Sequence, residues 1–290
     1  MYNINMTDIP YQHSPVMPEE VAGWLAPSAG KTIVDCTLGG GGHAERILKA
    51  GARVIAFDQD EEAVAAAKQR LAGSKDIEYI NDNFSKIGEH IKNKVDGFLF
   101  DLGVSSYQID APVRGFSLQS DGPLDMRMDR RQKRTAEDII NLAGEDELCK
   151  IIKEYGEERF ARRIASSIAR QRPVSTTFQL KEIVEKAIPT WKKRESVTRV
   201  FQALRIAVNR ELERLKAALL AAIGLLKPGG RMVVLSYHSL EDRIVKQAFR
   251  QAAQDGILKI MTKKPQLAAE AETAANPRAR SAKLRAAEKL

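Results

Sequence analysis

Short apolar runs alternate with helical patterns over the first hundred residues of the chain. Two stretches between these runs, 43–49 and the alanine-rich 61–71, have helical patterns. The apolar runs predict four strands, at residues 32–35, 53–58, 77–80 and 95–100. This alternation favours a parallel sheet covered on both faces, with ligands beyond the carboxyl ends of its strands. The candidate residues at those ends are Asp35, Asp58, Asn83 with Phe84, and Asp101.

The alternation stops after Asp101. Residues 101–129 are rich in Gly, Pro, Ser and Asp and are too long for an ordinary loop, so we expect them to be functional or ordered by a ligand. Helical patterns follow, beginning with the capping-box pair Thr135 and Asp138. The predicted helices cover residues 148–155, 157–171 and 178–188, and a long one opens at 198. We interpret residues 110–200 as a helical insertion into a sheet domain formed by 1–109 and 201–290.

The sheet pattern resumes after the insertion. A K-P-G-G turn at 227–230 precedes a predicted strand at 231–237, and Ser239 and Asp242 have the spacing of an N-cap and its N3 acid. Residues 257–262 and 281–288 are candidates for a final antiparallel pair. We expect the Ala- and Glu-rich segment between them to be flexible.

Four consecutive glycines at 39–42 lie between the first predicted strand, 32–35, and the helix predicted at 43–49. Glycines at this place let backbone N–H groups approach a ligand at the helix N-terminus, and an acid after the second strand, Asp58, can accept both hydroxyls of a ribose. The pattern therefore predicts an adenosyl ligand. Gly39, Gly41 and Ala44 also fit the loose G-x-G-x-x-G/A pattern, which leaves NAD open. A glycine turn that only packs a helix against the sheet is the simpler alternative.

The charge of the chain favours a polyanionic partner. Its 290 residues have a net charge of +8, although a solvated basic surface would give the same total. Residues 257–290 contain eight Lys/Arg against three Asp/Glu, so this basic tail is a candidate nucleic-acid contact. Arg159, Arg163 and Arg170 form a stripe on a predicted helix, which is either a solvated face or an RNA contact.

Other features of the sequence narrow the class of protein. The longest apolar run, 217–226, is too short to span a bilayer, and the N-terminus lacks the pattern of a secretory signal, so we expect a cytoplasmic protein. Cys36 and Cys149 lie far apart in the chain and predict neither a disulfide framework nor a metal cluster.

The late K-P-G-G turn, combined with the glycine loop and Asp58, resembles the S-adenosylmethionine-dependent methyltransferases with a Rossmann-like sheet. The chain also contains, in order, DLGVSS, RGFS, DGPLDMRM, YGEERFARRIA, FQALRIAVN, SYHSLEDRIVK and NPRARSAKLRAAE. With these motifs, from about residue 13 to 288, it resembles the bacterial ribosomal small-subunit methyltransferase H family. The resemblance implies a Rossmann-like α/β fold with an inserted substrate-recognition domain. It also implies N4-methylation of a cytidine in the decoding region of 16S rRNA, on naked rRNA or the small ribosomal subunit.

The resemblance also implies a set of contacts to S-adenosylmethionine. Gly41, Gly42 and His43 would hold the methionine portion. Asp58 would bind the ribose and Phe84 the adenine, while Asp101 and Gln108 would complete the pocket near the methyl group. The family has Ser-Ser-Pro-Gln where this chain has Tyr107 before Gln108, so the backbone there is freer. No metal is required.

Two residues are candidates for the chemistry. Asp101 occupies the slot where amino-methyltransferases commonly have D/N-P-P-Y, and an acceptor there would draw an N4 hydrogen of cytosine aside and make the nitrogen more nucleophilic. His238 follows a strand and could contact the base or take a proton. Asp101 could instead serve only the donor, and His238 could be a packing residue. Methylation at cytosine C5 usually needs a cysteine nucleophile, and neither Cys36 nor Cys149 is suitably placed.

Two other functions stay open from the residues alone. One is methylation of DNA or of a small molecule, which would not need the basic tail. The other is a non-catalytic RNA-binding assembly factor, against which the intact Gly41, Gly42 and Asp58 speak. The oligomeric state also stays open, with a homodimer as one alternative.

Overall fold

The computed structural model describes residues 15–290, except for the side chains at positions 106 and 190. The prolines after His13-Ser14 and at position 18 predict a turn into a short helix, and the His13-Ser14 part of this turn lies outside the described residues. Helices and strands alternate up to Asp101, as the sequence predicted. In chain order these elements are α1 (Pro18–Leu25), β1 (Thr32–Asp35), α2 (Gly42–Lys49), β2 (Arg53–Phe57), α3 (Glu61–Arg70), β3 (Ile77–Ile80), α4 (Ile87–His90) and β4 (Val95–Asp101).

A run of helices follows β4. They are α5 (Ser106–Asp110), α6 (Ala136–Leu142), α7 (Glu145–Gly156), α8 (Ala161–Arg170), α9 (Thr177–Ala187), α10 (Lys193–Asn209) and α11 (Glu211–Leu225). The predicted helix at 157–171 is wrong at its start, because Glu157 has a left-handed φ of 49° and ends α7 instead. The predicted long helix from 198 is two helices. It begins earlier, at Lys193, and breaks at Arg210, whose φ is 50°.

The last part of the chain completes the sheet. Its elements are β5 (Leu226–Ser236), α12 (Ser239–Gln254), β6 (Leu258–Ile260), β7 (Gln266–Leu267), α13 (Glu270–Ala275) and β8 (Lys283–Lys289). The segment predicted to be flexible instead contains β7 and α13. Glu272 in α13 accepts a hydrogen bond from the Met17 N–H at 2.6 Å.

The sheet has eight strands in the order β3-β2-β1-β4-β5-β8-β6, with β7 also pairing with β8. Strands β1 to β5 are parallel, whereas β8 runs antiparallel to β5 and β6. The strand order reverses between β1 and β4, so their carboxyl ends flank the crevice where open α/β sheets bind ligands. Asp35 and Asp101 are the last residues of these two strands.

Strand β8 changes the interpretation of the basic tail. It lies inside the sheet, where Arg285 is 7% exposed and donates to Asp242 Oδ1 at 2.6 Å. Lys289 donates to the Ile223 carbonyl. The predicted antiparallel pair at the end of the chain is confirmed, and these two basic residues of it support the fold. The nucleic-acid contact of the basic tail stays a prediction.

The chain divides into two compact units. The first, here called the sheet unit, comprises the described residues up to Gly103 and residues Arg214–Leu290. The second, the helical unit, comprises Val104–Glu213, whereas the sequence placed the boundaries at 110 and 200. No helix among residues 15–290 is long and apolar enough to cross a membrane.

The sheet unit has its core on the central strands. Phe98, Leu99 and Phe100 of β4 are fully buried, as expected for a strand covered on both faces. Gly97 precedes them because α1 packs very closely at this point. A Cβ at this position would lie 3.0 Å from Leu25 Cδ1 and 2.8 Å from Ile33 Cδ1.

The helical unit has a separate core built from α6 to α10. Two buried side chains order the glycine-rich segment that precedes these helices. Asn209 accepts from the Met128 N–H at 2.9 Å and donates to the Met126 carbonyl at 2.8 Å. The Arg114 guanidinium, 1% exposed, donates to the carbonyls of residues 127 and 128. This part of the segment is thus ordered by the protein itself.

Candidate active site at the carboxyl ends of the central strands

The glycine loop is tied directly to the acid after β2. The Gly39 N–H donates to Asp58 Oδ2 at 2.8 Å, and the Asp60 N–H donates to Oδ1 at 2.9 Å. Gly41 has a φ of 77°, and a Cβ on it would lie 3.1 Å from Leu71 Cδ1. The loop therefore needs glycine at this position both for its backbone conformation and for its packing.

The environment of Asp58 shifts the pKa of its carboxyl group towards neutrality. Burial raises its pKa to about 7, although the N–H groups of Asp60 and Gly39 favour the ionised form. A carboxylate offers about four lone-pair sites, of which the two backbone bonds use two. Asp58 can thus still accept hydrogen bonds from a ligand, as predicted for a ribose-binding acid.

Asp101 is held from two sides at the end of β4. The Tyr237 hydroxyl donates to its Oδ1 at 2.6 Å, and its own N–H donates to Thr37 Oγ1 at 2.6 Å. Burial raises the pKa of Tyr237 well above its usual range, so the phenol keeps its proton and remains a donor. Neither Tyr237 nor Thr37 was identified from the sequence. The signal for Tyr237 was its place at the end of the predicted strand 231–237.

His43 faces the other oxygen of Asp101. It lies in the first turn of α2, 7% exposed, with Nε2 3.6 Å from Asp101 Oδ2. This Nε2 and Asp35 Oδ2 are buried and have no hydrogen-bond partner among residues 15–290. Burial raises the pKa of Asp35 to about 6. Buried polar atoms without partners are rare and call for a ligand or a water, so the residues present fit a polar group bound here.

Phe84 lies beside the same strand ends. It begins a short 3₁₀ turn, Phe84–Lys86, whose N-cap is Asn83. Its ring is half-buried and meets Phe100 edge to face, with the ring centroids 5.8 Å apart. A half-buried ring keeps surface available to an adenine, so the predicted contact stays a prediction.

Gln108 belongs to the helical unit. Its side chain is 4% exposed and forms a capping box with Ser105, whose N–H donates to Gln108 Oε1 at 3.0 Å. The amide oxygen therefore supports α5, and its predicted contact with the methyl donor stays a prediction.

His238 caps a helix. The prediction of Ser239 as the N-cap of α12 is wrong, because His238 has the extended backbone of an N-cap and its Nδ1 accepts from the Glu241 N–H at 3.4 Å. Glu241 completes the capping box from N3 by accepting the His238 N–H. The structure thus gives His238 a structural role, and its predicted contact with the base stays a prediction.

The topology and these contacts together define a class of protein. Dinucleotide-binding sheets have the order 3-2-1-4-5-6, whereas here an antiparallel strand, β8, lies between β5 and β6. That arrangement, with the glycine loop bound to Asp58, is that of a Rossmann-like S-adenosylmethionine-dependent methyltransferase rather than of an NAD enzyme. The chain belongs to the MraW methylase family, whose profile matches residues 10–290.

Two curated relatives agree with this assignment. Ribosomal RNA small subunit methyltransferase H from Geobacter sulfurreducens is 50% identical over 310 residues, covering 97% of this chain and 99% of the relative. The protein of that name from Geobacter sp. strain M21 is 48% identical with the same coverage. Among solved structures, an rRNA methylase from Streptococcus thermophilus is 14% identical, with a TM-score of 0.46, over 94% of this chain and 93% of that one.

Proposed function

We propose that this enzyme transfers a methyl group from S-adenosylmethionine to the exocyclic N4 of a cytidine in the decoding region of 16S rRNA. The names of the relatives support small-subunit rRNA as the substrate, and the sequence resemblance supports N4 as the acceptor. The observation that carries the proposal is the Asp101 carboxylate at the switch point of the sheet, held by Tyr237 and facing His43. The reaction would take place in the cytoplasm, where small subunits are available.

Three parts of the sheet unit support binding of the methyl donor. The backbone of Gly41 and Gly42 opens α2, where N–H groups favour a carboxylate. The unpartnered Asp35 Oδ2 suits an ammonium group, and His43 Nε2 is a further polar atom for the methionine portion. Asp58 would accept the ribose hydroxyls, and Phe84 would contact the adenine.

For this reaction the protein needs only to position the two substrates and to supply one hydrogen-bond acceptor. S-adenosylmethionine, when bound, supplies a methyl group already activated on a sulfonium. The N4 lone pair of cytosine is delocalised into the ring, so Asp101 would accept an N4 hydrogen and leave more electron density on nitrogen. Tyr237 fixes Oδ1 of Asp101, so Oδ2, which lies 3.6 Å from His43 Nε2, would be the oxygen that accepts the N4 hydrogen. N4 would form the new bond to carbon as the carbon–sulfur bond breaks, the sulfur would leave as a neutral thioether, and the extra proton on N4 would pass to Asp101.

The cysteines support nitrogen rather than carbon 5 as the acceptor. Cys36 is 1% exposed, and burial raises the pKa of its thiol well above the usual range. A thiol in this state is a poor nucleophile. Cys149 lies in α7 and packs against the core of the helical unit. Replacing both residues, Cys36→Ala with Cys149→Ser, should therefore leave methyl transfer intact.

We assign recognition of the rRNA to the helical unit, because target bases in folded RNA must be presented unpaired and a separate recognition surface suits that task. A homodimer remains a prediction, which the mass of the particle in solution would test.

The test of the proposed function is methyl transfer to purified small ribosomal subunits that lack the modification. Radiolabelled S-adenosylmethionine is used, followed by digestion to nucleosides. We expect the label on N4-methylcytidine with the wild-type enzyme and little transfer with Asp101→Ala. Label on another nucleoside would refute the N4 assignment. Donor binding without transfer to subunits or naked rRNA would refute the substrate.

A further inference from the structure

A groove rich in arginine lies on the helical unit. Its volume is about 560 Å³. Apart from the Phe160 ring, the side chains that line it are Glu145, Arg159, Arg162, Arg163, Ser166 and Arg170. All four cations are arginines, and they face a single carboxylate. The mechanism proposed above uses none of these residues.

The geometry of α8 explains why three of these side chains share one face. Positions 163, 166 and 170 repeat at spacings of three, four and seven, which places them along one side of the helix, whereas Arg159 lies just before it, next to the N-cap residue Phe160. Ile164 and Ile168 occupy the opposite side and are fully buried in the core of the helical unit. The core thus fixes the rotation of the helix and turns the arginines outward, where all four are exposed.

Most of these arginines have no carboxylate partner. Within residues 15–290, no Asp or Glu oxygen lies within ion-pair distance of Arg159, Arg163 or Arg170. Arg162 pairs with Asp146 at 3.4 Å, where both side chains are largely exposed. The helical unit pairs other exposed cations, such as Lys186 with Glu182. Lys192, Arg199 and, more weakly, Arg159 lower the pKa of the Glu195 carboxyl. Within the described residues the groove is therefore cationic, with Arg162 as the one groove arginine in an ion pair.

Two of the arginines are also held in place. The Arg159 guanidinium lies over the Phe160 ring, 4.9 Å from its centroid. Arg170 donates to Ser166 Oγ at 2.9 Å. These contacts already restrict the two side chains, so binding of an anion costs less conformational entropy. They therefore favour an anion that both guanidinium groups contact at once.

We infer that this groove binds the phosphate backbone of the rRNA substrate, an inference that rests on the proposed function. Guanidinium groups bind phosphates through two parallel N–H bonds, which is why arginine predominates at such sites. From Arg163 to Arg170 the helix rises about 10 Å, at 1.5 Å per residue. The stripe is therefore long enough to contact more than one phosphate of an RNA strand.

The test is binding of unmodified small ribosomal subunits to the full-length protein at a series of salt concentrations. In the double variant Arg159→Gln with Arg163→Gln, we expect Kd to rise on the order of tenfold near physiological salt, and the slope of log K against log salt to become shallower by about 1.5. The matched control is Lys150→Gln with Lys153→Gln. These two exposed lysines of α7 lie outside the groove, and the control removes the same charge.

Glu145 gives a test in the opposite direction. It is the one carboxylate of the groove, so Glu145→Gln should tighten binding of the subunits and make the salt slope steeper. A loss of folding cannot produce tighter binding. Equal effects of the groove and control variants on Kd and slope, with no change for Glu145→Gln, would overturn the inference and identify the arginines as a solvated face.

Different measurements test the proposed reaction and the proposed groove. Transfer of methyl to N4 of cytidine by the wild-type enzyme decides the proposed function, and the difference in salt slope between the two double variants decides the groove. A wild-type circular dichroism spectrum and wild-type cooperative thermal unfolding confirm that each variant is folded, since all of the changed residues belong to the helical unit. Normal transfer with an unchanged slope would reject the groove alone. A changed slope without any transfer would reject the reaction and support the groove.

Discussion

The Asp101 carboxylate shows how single contacts prepare this site. Its Oδ1 is occupied by the Tyr237 hydroxyl at 2.6 Å, so its orientation is set before a substrate arrives. A hydrogen bond to a charged group is worth about 1.5–3 kcal/mol. In the proposed reaction Tyr237 is therefore a positioning residue, which would act through Asp101.

We predict that Tyr237→Phe lowers the single-turnover rate of methyl transfer by roughly ten- to a hundredfold, the equivalent of the lost hydrogen bond. The Kd of S-adenosylmethionine should change little, because Tyr237 supports the acceptor rather than the donor. In an Asp101→Asn background the same substitution should cause almost no further loss. Independent, multiplicative effects of the two substitutions would contradict this role.

The donor affinity should depend on pH through Asp58. In the free protein burial raises the pKa of this carboxyl to about 7, whereas ribose hydroxyls donate to the ionised form. Below pH 7 the group must release a proton when the donor binds, so binding weakens as the pH falls and levels off above 7. Asp35, with a pKa raised to about 6, adds a second dependence at lower pH.

Calorimetric titration of S-adenosylmethionine between pH 5.5 and 8.5 measures this dependence. We expect Kd to rise by up to about tenfold per unit as the pH falls below 7. In Asp58→Asn the affinity should be weaker throughout and nearly constant between pH 6.5 and 8.5. If Asp58→Asn and the wild type have the same pH dependence of Kd, the proton released on donor binding comes from another group.

At the scale of elements, the loop between β1 and α2 combines a left-handed backbone with a proposed ligand contact. We predict that Gly41→Ala lowers the free energy of unfolding by about 1–2 kcal/mol, since its φ is 77°, and also weakens donor binding. Gly30→Ala is the matched control, because its φ is 81° and its Cβ would meet nothing within 4 Å. Urea denaturation should show a loss for both, larger in Gly41→Ala because its Cβ would also lie 3.1 Å from Leu71 Cδ1, with donor binding impaired only in Gly41→Ala.

Two substitutions of His238, at the N-terminus of α12, distinguish a structural role of this residue from a catalytic one. His238→Ala should lower the free energy of unfolding by about 1 kcal/mol, the usual cost of a lost N-cap. His238→Asn keeps an acceptor for the Glu241 N–H, so we expect stability and methyl transfer close to those of the wild type. A variant that is stable but still slow in transfer would instead support a contact between His238 and the base.

At the scale of the whole molecule, the basic C-terminus is a structural strand. β8 pairs with β5, β6 and β7 and buries Leu284, Ala286 and Ala287. We predict that deletion of residues 283–290 abolishes cooperative thermal unfolding of the sheet unit and donor binding together. Lys263→Gln with Lys264→Gln, which removes two exposed charges, should preserve both. A truncated protein that still binds the donor would contradict this prediction.

Much of the sheet unit could be predicted from local pattern. β1 and β3 have the predicted bounds, since Lys31 precedes β1 and Asp35 ends it, while Asp76 and Asn81 lie on either side of β3. The acids at strand ends followed from the same pattern, since parallel strands bring their carboxyl ends to one edge. Helix limits were harder to predict, because Glu157 and Arg210 adopt left-handed backbones that a helical pattern does not reveal.

The sequence by itself determined the class of sheet, the glycine loop, the acids Asp58 and Asp101, and the presence of a helical insertion. Each depends on residues near one another in the chain, where periodicity and turn chemistry act directly. Only the tertiary structure decided that Tyr237 holds Asp101 across 136 positions, that β8 lies between β5 and β6, and that the arginines between positions 159 and 170 line one groove. Such contacts depend on how distant elements pack, and local pattern does not encode that packing.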